Sequence, residues 1–390
     1  MALMTYNDVI QHMVDYLGGN EQDATQREIR RAAISAYREL IDCYPWRALH
    51  KLLNIPLNAN HTTGTVSYDY TGGASERLWT FSSATLPSWA ARGKLLVGSN
   101  SWPIQRRLSS STLQSPSDFC PVEDVAAGTT FELYQSEFLL PADFRSMHVG
   151  MPTTTPATRR ISMKDNAWMG RQQGASGSPW GYSISADRFI PGRQSILLNP
   201  WPASADTFQA LYRFRPRDLM YTGYASRDRA GTVSLSGTTV TGSGTAFESG
   251  QEGAVIRISA NATTYPSDQA GDNPFYFEGI IDTVTSATSL TVQSNSSSLT
   301  TTATKYTISD PIALPPNMLN AMLRCCEKQA EIVRQRDDGG KQSAVALYMD
   351  ALETAMVADR DSFDILGLLE GNGYNYPEWL QSQTRPADEE

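Results

Sequence analysis

The chain has 390 residues, 40% of them apolar and 19% charged, with a formal net charge of −9. That length suggests roughly two or three domains and buries enough surface to fold without a disulfide scaffold. The composition excludes a disordered or membrane-embedded class, and the acidic balance argues against general nucleic-acid binding.

The N-terminal stretch has neither a basic n-region nor a continuous apolar h-region, so no signal peptide is expected. A first helix is predicted from Thr5, a capping residue with Asp8 three positions on. Val9, Ile10, Met13, Val14 and Leu17 form its apolar stripe, and Gly18-Gly19 ends it. A second helix starts near Asp23, carries Ile29, Ala33, Ala36, Tyr37, Leu40 and Tyr44 at helical spacing, and stops at Pro45. Arg27, Arg30, Arg31 and Arg38 lie mostly off that stripe, towards solvent or a neighbouring copy. Residues 1–50 are therefore read as a helical hairpin.

Residues 51–228 change character, being rich in Ser, Thr, Gly, Pro, Trp and Tyr. Alternating runs at Leu53–Leu57, Thr65–Tyr70, Arg77–Phe81, Thr130–Tyr134, Tyr182–Ile184, Ser195–Leu198 and Thr207–Phe214 predict strands joined by long loops. Residues 151–228 hold ten basic and five acidic side chains, net +5. The long polar loop from Met151 to Pro179 carries Arg159, Arg160 and Arg171. Residues 229–310 read as a small inserted all-β module, through GTVSLSGTTVTGSGTAF and the later TSLTV and KYTIS. Within it TTYPSDQAGDNP reads as an exposed loop. Its Asp268 and Asp272 lack the spacing of a calcium loop and read as turn caps.

A second helical hairpin spans 311–363. Leu314-Pro315-Pro316 leads into a helix through Met318, Met322, Cys325, Gln329 and Val333, which ends at an Asp337-Asp338-Gly339-Gly340 turn. The next helix runs through Ala344, Tyr348, Ala351, Leu352, Ala355 and Met356. The tail, 364–390, carries one basic and six acidic side chains, net −5, with Leu366, Leu368, Leu369, Tyr374, Tyr376, Trp379 and Leu380. Aromatic residues on a polar, Gly- and Pro-bearing tail suit anchoring in a partner's groove. The expected fold class is α+β: terminal helical hairpins packed as a bundle, a β-rich middle and the inserted module.

No P-loop, HExxH, GxSxG elbow or kinase set is present. Cys43, Cys120, Cys325 and Cys326 lack CxxC spacing and nearby histidines, which argues against zinc and for a reducing compartment. His12, His50, His61 and His148 have no metal-like partner spacing. The chain is read as non-enzymatic, with no cofactor, metal or membrane partner.

The order of parts resembles the head-to-tail adaptor proteins of short-tailed bacteriophages. Four stretches carry the likeness: the two N-terminal helical segments, FLLPADFRSMHV at 138–149, GYSISADRFIPGRQSILLNPWPASADTFQALYRFRPRDL at 181–219, and LPPNMLNAMLRCCEKQAEIVRQRDD with the following YMDALETAMVADRD. The resemblance implies a virion ring of adaptors at the head–tail junction, made in the host cytoplasm and following the portal's symmetry, with twelve copies expected. It further implies a C-terminal tail reaching the portal through Leu366, Leu369, Tyr374, Tyr376, Trp379 and Leu380. Nozzle or fibre proteins would attach below, and double-stranded DNA would pass transiently through the ring. An acidic channel wall would repel phosphate and let DNA slide. Arg159, Arg160 and Arg171 would face DNA or a neighbouring acidic surface, the latter favoured because the chain as a whole is acidic. The alternatives are a tail nozzle or fibre-attachment protein, a tail-borne cell-wall hydrolase, and a carbohydrate-binding module at 230–308.

Overall fold

The computed structural model describes residues 3–17, 23–70, 73, 76–147, 153–155, 159–166, 169, 176–267, 273–293, 300–333 and 338–364. It divides into two compact units, one formed by 1–48 with 217–390 and the other by 49–216.

In the first unit α1 (Tyr6–Tyr16) starts on a capping box between Thr5 and Asp8, and buries Tyr6, Val9, Ile10 and Met13. In α2 (Asp23–Cys43) Ile29, Ala33, Ala36, Tyr37 and Leu40 are buried, while Arg27, Arg31 and Arg38 are exposed. Trp46 then folds back, its indole N–H donating to the Leu40 carbonyl at 2.6 Å. A single turn, α3 (Ser226–Arg229), precedes the strands. Near the C-terminus α4 (Pro316–Val333) packs against both α2 and α5 (Asp338–Asp364). Alanines at 32, 33, 36, 321, 330, 344, 351 and 355 are buried, and such small side chains let helix backbones approach closely. The Asp-Gly-Gly sequence expected as a turn instead opens α5, which begins at Asp338.

Between these helices lies the largest sheet of the described residues. Its order is Thr300–Thr304, Thr232–Ser236, Thr239–Ser243, Ser289–Val292, Phe277–Ser286, Val255–Ile258 and Tyr306–Ser309. The first and last of these strands are separated in sequence by Lys305 alone, so the sheet curls back on itself as a barrel-like wall. The bend is made at Ala303, which takes φ +52 beside a register shift against Val233 and Leu235. Val233, Leu235, Val240, Ile256, Ile258, Phe277, Ile281, Leu290, Tyr306 and Ile308 share its core.

In the second unit Asp206–Phe214 is the central strand of a five-stranded sheet. It pairs antiparallel with His50–Leu57, Phe144–Met147 and Thr153–Thr155. A four-stranded sheet runs Glu137–Leu139, Gln194–Asn199, Gly181–Ala186, Ser162–Met163. The two sheets share one core, with Leu53, Ile55, Phe208 and Tyr212 from the first and Phe138, Tyr182, Ile196 and Leu198 from the second. A second core, around Trp79, Phe81, Leu95, Leu113, Phe131 and Leu133, joins another five-stranded sheet to a three-stranded one.

The α+β expectation, with a helical bundle as framework and a small β insertion, is therefore corrected. The molecule is mostly β, 38% strand against 26% helix, and its curled seven-stranded sheet is a major element. The physical reason is strand length. Lys94–Val97, Asn100–Pro103 and Thr112–Gln114 span three or four residues, too few to announce themselves by alternation, whereas long helices show their period over several turns.

Ile256 is fully buried in the barrel core. Ile256→Ala is expected to cost about 2–5 kcal/mol, read as an earlier urea transition for this unit.

Candidate functional site

The densest polar chemistry of the first unit lies where α1 meets the barrel. Arg257 sits in Val255–Ile258, every residue of which is buried. A guanidinium there needs partners, because an unpaired buried charge is strongly unfavourable. Its Nη1 reaches Asp8 Oδ1 at 2.5 Å and its Nη2 reaches Asp8 Oδ2 at 2.9 Å, a bidentate pair. Its Nε donates to Glu278 Oε2 at 2.9 Å, and Nη2 also donates to the Leu3 carbonyl at 2.8 Å. Burial alone would lower the Arg257 pKa, but hydrogen bonds and charge from Asp8 and Glu278 outweigh it and raise it. Asp8 thus serves twice, as helix cap and as counter-ion.

A second cluster closes the same junction. Asp310, buried at the end of the last barrel strand, accepts from the Met220 and Tyr221 N–H groups at 2.5 and 2.7 Å. Its other oxygen lies 2.7 Å from Arg217 Nε, and its carbonyl accepts from the Tyr6 N–H at 2.8 Å. Asp228, also buried, accepts from the Thr222 and Gly223 N–H groups at 3.1 Å each. Burial raises its pKa against the opposing pull of those N–H groups and Arg227. Gly223 takes φ +79, and a Cβ there would stand 2.6 Å from Asn7 Nδ2. Asn7 in turn donates to the Thr222 carbonyl at 3.0 Å, and Tyr224 donates to Gln11 at 2.8 Å. Helix α1 is therefore stitched along its length to the chain entering and leaving the barrel.

The helices carry their own polar seam. His12 Nε2 lies 3.0 Å from the buried Glu327, which also pairs with Arg324 at 2.8 Å. Lys328 pairs with Glu39 across the α2–α4 contact. Asp359 accepts from the Arg47 and Ala48 N–H groups, so α5 caps the turn that follows α2.

In the second unit Asp187 is the buried hub. It pairs with Arg92 at 2.6 Å, and accepts from Ser195 Oγ at 2.5 Å and from the Phe189 and Ile190 N–H groups at 3.0 and 2.7 Å. Burial would raise its pKa, but these donors outweigh it and hold the carboxyl well below the usual carboxylate range. Arg92 and Arg188 flank the Phe189 ring at 5.1 and 4.5 Å. Burial, with help from Arg188, lowers the Lys94 pKa.

Arg159 and Arg160 form a short strand at the edge of the first five-stranded sheet, in register with Thr154 and Thr153. Arg171 lies outside the described residues, as do Leu366, Leu369, Tyr374, Tyr376, Trp379 and Leu380. Asp268, Asp272 and His148 lie outside them too. Among the described residues no group of three or more His, Cys, Asp or Glu side chains is placed to hold a metal ion, and no helix is long and apolar enough to cross a membrane. Burial pushes the Cys325 thiol up to about 12, which leaves it protonated and unreactive near neutrality. Comparison with protein-family models found no match, and comparison with curated proteins found none either.

Arg257, Asp310, Asp228 and Asp187 were not singled out by sequence reasoning. A signal exists for Arg257, a lone arginine inside the apolar run AVIRI, which demands a buried counter-ion.

Arg257→Met is expected to destabilise the first unit by about 3–5 kcal/mol, because Asp8 and Glu278 lose their shared cation; chemical denaturation measures it. Asp187→Asn tests the second hub. A depressed carboxyl pKa stabilises above the unfolded value of about 3.9 and loses that contribution as pH falls through the folded value. The stability gap between wild type and variant should therefore be widest near neutrality and shrink as pH drops below about 4, in urea titrations at several pH values.

Proposed function

We propose that this chain is a structural protein of a short-tailed phage particle, the adaptor that docks on the portal as a ring. The observation that carries the reading is the stitching of α1 to the barrel and of α2 to α4. Both ends of the described chain thereby belong to one unit built from ion pairs, that of Arg257 buried, and helix contacts. Such a unit suits a part that bears load, since buried charge networks hold one geometry and fail cooperatively. Residues 365–390 follow α5 in the sequence. Their Leu366, Leu369, Tyr374, Tyr376, Trp379 and Leu380 are the proposed portal anchor, and their acidic charge would steer docking onto a basic portal surface. Arg159, Arg160 and Arg171 are the proposed contacts to DNA or to a neighbouring copy. The acidic chain as a whole favours transient passage of double-stranded DNA over tight binding.

A second reading, a tail nozzle or fibre-attachment protein, draws on the predominance of strands over helices. Mixing the chain with the portal protein of the same genome separates the two. A discrete complex with one adaptor per portal subunit, measured by native mass, supports the adaptor; location at the distal tail supports the nozzle. Deleting residues 364–390 should abolish portal binding while leaving the circular dichroism and melting of the body unchanged. Full occupancy by the truncated chain would remove the tail from the mechanism.

A further inference from the structure

The second unit separates its charges along the chain. Residues 108–144 hold six acidic side chains and no basic one, whereas residues 145–216 hold nine basic and three acidic. Two exposed segments concentrate this contrast. One is the loop 115–124, which crosses between the strands Thr112–Gln114 and Val125–Thr129. Phe119 and Val122 stand 55% and 73% exposed on it, and Tyr70, bonded through its N–H to Asp124, adds a third exposed apolar side chain. The carboxylates of Asp118 and Glu123 are exposed, with no hydrogen-bond or ion-pair partner among the described residues. Arg106 and Arg107 lie on the strand beside Thr112–Gln114, where they donate to the Gln114 side chain and the Leu86 carbonyl.

The other segment is the hairpin turn 187–193, between Gly181–Ala186 and Gln194–Asn199. Asp187 holds this turn rigid from beneath through two backbone N–H groups. At its surface are Arg188, which pairs with Glu137 at 4.0 Å and lies over the half-buried Phe189 ring, and Ile190, 39% exposed. Among the described residues no hydrogen bond or ion pair joins this turn to the loop 115–124 within one chain.

We propose that the acidic, apolar loop 115–124 of one copy docks on the basic, apolar turn 187–193 of a second copy of this chain. The two surfaces match in opposite charge and in exposed apolar side chains, Phe119 and Val122 on the loop and Ile190 on the turn. The backbone of the turn is set in advance by Asp187, which lowers the ordering cost of association. The two surfaces differ, so the contact is head-to-tail and each copy offers both halves. Repeated, such contacts give a closed ring or an open filament. The proposal deepens the adaptor reading and rests on it only for the closure of the ring.

Reciprocal charge reversal in the full-length chain tests it. Wild type is expected to self-associate in sedimentation velocity, more strongly at low salt. Asp118→Lys with Glu123→Lys, and separately Arg188→Glu, should each weaken association about tenfold or more, as like charges meet. An equimolar mixture of the two variants should regain it, because a lysine loop then meets a glutamate turn and a native loop meets a native turn. Val122→Arg, which removes the apolar tip, provides an independent variant with the same expected loss. A wild type that stays monomeric at every concentration, variants that associate like wild type, or a mixture that fails to regain association would each overturn the contact. A chain that caps the portal while the mixture shows no regain sinks this contact alone. A chain that passes the reciprocal test but never binds the portal sinks the adaptor reading and leaves the contact standing.

Discussion

The buried guanidinium of Arg257 is the constraint on which the first unit depends. It lies within a fully buried barrel strand, so its charge must be met from inside the protein. Glu278, on the adjacent strand, supplies one carboxylate, and Asp8 on α1 supplies the other. With α1 absent, the cation would face one carboxylate and an empty place where Asp8 and the Leu3 carbonyl now stand. The N-terminal helix and a barrel some 250 residues away in sequence are thus obliged to fold together. The same helix is held again by the Tyr6 N–H on the Asp310 carbonyl and by Asn7 on the Thr222 carbonyl. Charge pairing fixes its register, and the apolar stripe fixes its depth.

The second unit reaches rigidity by another route. Its sheets meet over aromatic and branched side chains, and its polar hub is a single carboxylate, Asp187, with more donors than it needs to stay ionised. That hub pins a surface turn rather than a helix, so an exposed basic tip rides on a buried, preorganised base. Opposite charge elsewhere in the unit, on a loop with exposed Phe119 and Val122, gives the surface a polarity that a symmetrical patch would lack. A molecule with two different complementary faces is suited to serial contact between copies, in which the same pair of surfaces is used again at each step.

Sequence reasoning reached the helices because their apolar residues repeat over several turns. The stripe of α1, the capping box at Thr5 and Asp8, and the buried face of α2 are all legible from spacing. It reached the alternating parts of two long strands, 53–57 within His50–Leu57 and 207–214 within Asp206–Phe214, but not Phe277–Ser286, the longest of the described strands. It missed the dominance of β structure, since strands of two to four residues carry no measurable period and declare themselves through partners distant in the chain. Gly339 and Gly340 misled for a local reason. They have the chemistry of a turn, yet they lie in the first turn of α5, whose later turns bury Tyr348, Leu352 and Met356 and so carry the helix.

The sequence by itself determined where helices start, which of their faces are apolar, where charge accumulates, and that no familiar catalytic motif is present, because each of these is written in neighbouring residues. Tertiary structure alone decided that Arg257 meets Asp8, that Asp310 receives α1, that the chain bends at Ala303 as the first strand of the curled sheet leads into the last, and that Asp187 braces the turn at 187–193. Those pairings join residues far apart in the chain. Their energies come from burial and mutual desolvation, which exist only once the surrounding surfaces have come together.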